Sequence, residues 1–250
     1  MPVSVHVQDA MPVSGHEIFL SRIRIILDWR DRYPWGALVG MTRGTINRIF
    51  NEGQIPTGET LSAIGRVENC ALSWLLNGQG SPYIVGRCEN DEECAERLDE
   101  LLEEKGWTIH LLTDGERYAL VLTQPAIFFI KERPVEYTAC ETLAGPIGEE
   151  TLQTIQRSGH HAFTVTLPAE QITRLIAGQL GTYALLAKDG GLLRDEHPLA
   201  ADTRMTAYSG AADERAGYND TERQLLKAWR KLDGTLKNAA LAAVEAMGKK

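Results

Sequence analysis

Residues 40–53, GMTRGTINRIFNEG, gather side chains suited to recognising another polar molecule. Thr42, Arg43, Thr45, Asn47 and Arg48 offer donors and acceptors that match base edges and phosphate oxygens, and no carboxylate follows before Glu52. Ile46 and Ile49 stand three apart and share one helix face, which turns the polar set outward. Gly44 removes a side chain from that outward face, so a helix could approach base edges closely at some cost in helix propensity. Arginine suits bidentate contact with guanine, and Thr42 and Asn47 suit phosphate or adenine. The expected DNA-contacting set is Thr42, Arg43, Gly44, Thr45, Asn47 and Arg48.

Such a set works only if a rigid unit presents it. Gly36, then Gly40 four residues later, then Ile46 six after that, is the spacing of a helix-turn-helix: a close crossing, a turn and a buried β-branched anchor. The flanking sequence supplies the support. Residues 16–33 carry a helical apolar pattern, with Ser14 as its N-cap. A helix over 35–39, the turn, and a helix over 42–50 form the reader. Thr57 caps a fourth helix over 59–69, and 72–80 form a short fifth, with Trp35, Ile46 and Trp74 expected in the core. These make an all-α five-helix domain over 14–83.

After a linker and an acidic helix over 84–106, the pattern changes to strands. Strand-like runs cover 108–112, 118–123, 126–131 and 136–143, separated by turn signals at 114–115, 124–125 and 133–134. Helices over 149–157 and 168–179 bracket a strand over 162–167, and a last strand is expected over 182–188. This reads as an α+β domain over 107–190 with a mainly antiparallel sheet, serving self-association or regulation. A flexible linker over 191–218 and a C-terminal helical hairpin over 219–250 complete a multi-domain chain.

The net charge of −8 looks wrong for a nucleic-acid partner, but its distribution matters more than its sum. Between Arg87 and Lys105, nine acids face three bases, a local −6, whereas 42–50 is +2. Global acidity would suppress loose binding and leave the reader's face intact. No apolar run reaches the length of a membrane span, and the first residues lack a secretory signal, so a cytoplasmic protein is expected. Cys70, Cys88, Cys94 and Cys140 form no CxxC pair and read as reduced thiols. No metal, cofactor or catalytic residue is expected. His160 and His161 have no companion group at ligand spacing, and GQLGT at 178–182 lacks the lysine of a phosphate loop.

Residues 14–83 resemble the DNA-binding domain of temperate-phage repressors of the lambdoid and Mu-like group. The resemblance rests on GMTRGTINRIFNEGQIP, then LSAIGRV, then LSWLLNGQGSPY. It implies a transcriptional repressor that binds operator DNA as a dimer or higher oligomer, with an anti-repressor protein as a candidate partner. Many lambdoid repressors also carry a self-cleaving domain. Ala144-Gly145 has the composition of a scissile bond, but Ser158, Ser209 and Lys188 do not lie in the expected serine turn or dyad, so no enzyme is expected. The alternative is an antitoxin-like or host regulator whose C-terminal domain binds a protein or small-molecule effector.

Overall fold

Apolar residues recur at helical spacing up to residue 80 and then in strand-like runs, and the chain folds accordingly. The computed structural model describes residues 15–200 and Thr203. Helices α1 (Gly15–Leu27), α2 (Arg32–Leu38), α3 (Arg43–Asn51), α4 (Gly58–Glu68) and α5 (Leu72–Asn77) enclose Ile23, Ile26, Trp35, Val39, Ile46 and Ile64. There follow β1 (Gly86–Arg87), α6 (Asp91–Leu102), β2 (Thr108–Thr113), β3 (Tyr118–Ile130) and β4 (Arg133–Ala144). The remaining elements are α7 (Glu149–Ser158), β5 (His161–Thr166), α8 (Ala169–Ile176), α9 (Thr182–Leu186), a 3-10 turn (Leu192–Asp195) and β6 (His197–Pro198).

The strands form one sheet in the order β1-β4-β3-β2-β5-β6. Its β2–β3, β3–β4 and β5–β6 pairs are antiparallel, whereas β1–β4 and β2–β5 are parallel. Strand alternation sends Ile109, Leu111, Leu120 and Leu122 into a core with α6 and α7. Leu112, Ala119, Val121 and Val165 enter a second core with α8 and α9. Both faces are covered, which is why the middle strands are apolar almost without interruption.

The expected fold class is corrected on these grounds. Instead of a five-helix domain followed by a mainly antiparallel α+β domain, the described residues hold nine helices and a mixed six-stranded sheet. They belong to one compact unit. The parallel β2–β5 pair arises because the chain crosses through α7 before returning beside β2, and local periodicity carries no sign of that path. The expected C-terminal hairpin, and the Ser14 cap, lie outside the described residues. So does the expected linker beyond residue 200, Thr203 apart; its first residues hold the 3-10 turn and β6.

Smaller expectations also change. Residues 182–188 begin as helix α9, with Thr182 and Leu185 buried, rather than as a strand. Trp74 is half-buried, and Leu75 takes the buried position on the short α5. Cys88 and Cys94 are joined as a disulfide, their Cα atoms 5.3 Å apart, because the chain bends back at the start of α6. Cys70 and Cys140 are free and buried.

One departure shapes the site. β3 runs unbroken through Gln124-Pro125, and the turn falls at Lys131 and Glu132, whose φ values of 46° and 66° are left-handed as a two-residue hairpin requires. β2 ends its pairing at Thr123, and β1 pairs only with Leu143 and Ala144. Between those limits β3 and β4 pair only with each other, forming a two-stranded arm. Pro125 pairs with Thr138 and Pro134 with Phe129; each proline's missing N–H falls on an unpaired outer edge, where it breaks no ladder bond.

Candidate nucleic-acid interface

Gly40 ends α2 with φ +74°, and its N–H donates to Ala37 O at 3.0 Å while Met41 N–H donates to Gly36 O at 2.7 Å. The chain thereby reverses into α3 over a turn with its own hydrogen bonds satisfied. Thr42 caps α3: its Oγ1 accepts from Thr45 N–H at 3.2 Å and lies 3.0 Å from Thr45 Oγ1. Ile46 and Ile49 are buried beneath the helix, as their spacing predicts. A Cβ on Gly36 would collide with the Ile46 side chain, so α2 and α3 meet where only glycine fits.

This phase settles the orientation of the expected set. Thr42, Arg43, Gly44 and Arg48 are exposed, and Thr45 and Asn47 are half-buried. Among the described residues no carboxylate forms an ion pair with Arg43 or Arg48. Asn47 Oδ1 already accepts from Tyr33 Oη at 2.8 Å, which leaves its amide N–H groups as the available donors. Bidentate reading of adenine, one of the two contacts expected to suit Asn47 alongside phosphate, would compete with that bond.

Sequence reasoning missed two members of this face. α2 begins at Arg32, three residues before the expected start, because Pro34 is tolerated within a helix's first turn. Arg32 donates to Asn51 Oδ1 at 2.9 Å and lies 4.9 Å from the centre of the Tyr33 ring. Arg43 sits 5.7 Å from the centre of the same ring. Tyr33 thus holds two guanidinium groups near one aromatic surface and ties α2 to α3 through Asn47. Proline at that position was the available signal.

The unit is anchored from behind by an ion pair that is almost wholly buried. Arg30 meets Glu68 through two bonds of 2.9 Å, and Trp35 Nε1 donates to the same carboxylate at 2.8 Å. The loop between α1 and α2, α2 itself and the end of α4 therefore converge on one charge pair. The arm docks on the turn at Gly40. A Cβ on Gly40 would lie 2.7 Å from Ile130 Cδ1 and 2.8 Å from Val135 Cγ2, and Arg133 Nη2 donates to Gly40 O at 3.2 Å. Ala63 of α4 packs with Phe128 and Ile130.

Strongly perturbed titrating groups lie away from this face. Burial pushes the Cys70 and Cys140 thiols up to about 12, which keeps both protonated and poor nucleophiles. Burial lowers His110, against the opposing pull of Glu196 at 2.9 Å. His160 faces Trp107 O at 3.0 Å and His161 is exposed; among the described residues no group of three His, Cys, Asp or Glu could hold a metal. Ser158 Oγ donates to Ile155 O and accepts from His160 N–H. Among the described residues no helix is long and apolar enough to cross a membrane. No family model, curated protein or solved structure matches this chain.

Proposed function

We propose that the protein is a sequence-specific DNA-binding transcriptional repressor of the temperate-phage type, acting in the cytoplasm as a dimer or higher oligomer. The observation that carries this reading is the exposed face of α3. Thr42, Arg43, Gly44 and Arg48 project from a helix whose other side is locked by Ile46 and Ile49, behind a tight turn at Gly40. Two such helices entering successive major grooves would occupy an operator and block transcription. The cytoplasmic location stands against the Cys88–Cys94 bond, since disulfides are rare in a reducing compartment.

Arg43 lies at the start of α3, where recognition helices present side chains to base edges. Its role is tested by selecting genomic fragments with the purified protein and then titrating the enriched site. Arg43→Ala should weaken that site by about 1–3 kcal/mol and relax preference at one base pair per half-site, with an unchanged melting temperature. Equal binding of the enriched site by wild type and variant would remove α3 as the reader.

A second reading, an effector-controlled regulator, is favoured by a cavity of about 750 Å³ where Leu38 and Glu68 of the helical part face Ile127 and Tyr137 of the arm and Tyr183 of α9. A small ligand there would touch both the reader's supports and the sheet.

A further inference from the structure

The arm reaches the reader, and its tip brings positive charge with it. Lys131 and Arg133 are exposed, and together with Arg48, Thr42 and Thr45 they line a groove of about 270 Å³ between the arm and α3. Glu59, at the start of α4, also lines it. Lys131 has no ion-pair partner among the described residues. The tip's position is fixed, because Ile130 and Val135 pack on the Gly40 turn and Arg133 bonds to its carbonyl. A cation held beside a recognition helix, by a hairpin that ends in a rigid two-residue turn, is placed to meet the backbone flanking the groove that helix enters.

We propose that the β3–β4 tip is a second DNA-contacting element, in which Lys131 grips a phosphate of duplex DNA beside the site read by α3 and Arg133 fastens the tip to the turn. This rests on the reading of α3 as the DNA reader. The contact is to phosphate and carries no base preference of its own. It gives the sheet, through the arm, a share in DNA affinity.

The test titrates the enriched duplex and a scrambled duplex at several salt concentrations with full-length wild type, Lys131→Gln, Lys131→Glu and Lys131→Arg. Lys131→Gln should weaken both duplexes alike, by about threefold or more, and reduce the slope of log affinity against log salt by roughly one per site. Lys131→Glu should weaken both further, and Lys131→Arg should bind as wild type. Melting temperatures should stay constant, because the side chain is exposed. Unchanged affinity and slope in Lys131→Gln and Lys131→Glu would overturn the proposal. Tighter binding by either would also overturn it, since the tip would then be shielding α3. Arg43→Ala keeps the two readings apart: a protein that depends on Arg43 but not on Lys131 loses only the arm. A wild type that enriches no duplex loses both.

Discussion

α3 and α7 are helices of similar length that begin in opposite ways. α3 supplies its own cap, since Thr42 precedes Thr45 by three residues and accepts its N–H. α7 begins after Gly148, an N-cap position with no side chain to cap it. Its start is held by Asp91, in the first turn of α6. Asp91 Oδ1 accepts from Gly148 N–H at 2.7 Å and from Thr151 Oγ1 at 2.6 Å, and Oδ2 accepts from Glu150 N–H at 2.8 Å. The start of α3 is therefore organised within a few residues, whereas the sheet's covering helix depends on a residue far away in sequence. Substitutions on the exposed face of the first leave the rest intact; substitutions behind the second disturb the core of the sheet.

The largest effect should come where the helical region breaks this pattern. Glu68 of α4 joins α2 through Trp35 and the α1–α2 loop through Arg30, and its removal leaves a buried guanidinium and a buried indole N–H without their partner. Glu68→Ala should destabilise the protein by about 3–5 kcal/mol in urea unfolding. A loss below about 1 kcal/mol, the scale of a surface pair, would mean that the helical region is held locally throughout.

Asp91→Ala should cost less, about 1–3 kcal/mol, for the hydrogen bonds it removes. Its acid dependence sharpens the contrast with α3. Burial opposes the Asp91 charge, but the Thr151 hydroxyl and the N–H groups of Glu150, Gly148 and Thr151 outweigh it and hold the carboxyl below its ordinary 3.8. A lowered folded-state value means this stabilisation is complete above the ordinary value and is lost as pH falls through the lowered one. Wild type and Asp91→Ala should differ fully at neutral pH and converge in strong acid. A difference independent of pH would assign the effect to packing.

Thr42→Ala should have the smallest effect, about 1 kcal/mol, the usual cost of deleting an N-cap. It should fall on the helical region, reported by hydrogen-exchange protection of α2 and α3, and leave the sheet's hydrogen-exchange protection unchanged. Equal loss in both regions would dissolve the distinction.

The same contrast marks what the sequence discloses. Gly36, Gly40, Thr42 and Ile46 act over spacings of two to ten residues, so their roles can be read from composition and periodicity alone. Tyr33 was hidden by a misplaced helix start, one residue before Pro34. In sequence Glu68 is one polar residue at a helix end, and only the folded path that brings Arg30 and Trp35 to it makes it a buried charge. The parallel pairing of β2 with β5 and the reach of Asp91 to α7 are likewise properties of the folded path. Pro125 and Pro134 misled for a related reason: proline signals a turn until the neighbouring strands are known to stop short.

The arm's two faces have a further consequence. Phe128 and Ile130 are 8% exposed each, and the residues alternating with them, Ile127 and Phe129, are 53% and 64% exposed. Both faces are apolar, so a hairpin slipped by one residue would exchange one oily surface for another, and burial alone does not choose between them. The choice falls to the left-handed pair Lys131 and Glu132, and to the edge-on contact of Phe128 with Tyr137 at 5.3 Å. A slipped arm would offer Phe129 to Gly40 in place of Ile130, a bulkier group at a point with no spare room. Registry at one tight hairpin turn thus decides which side chain the arm presents to Gly40.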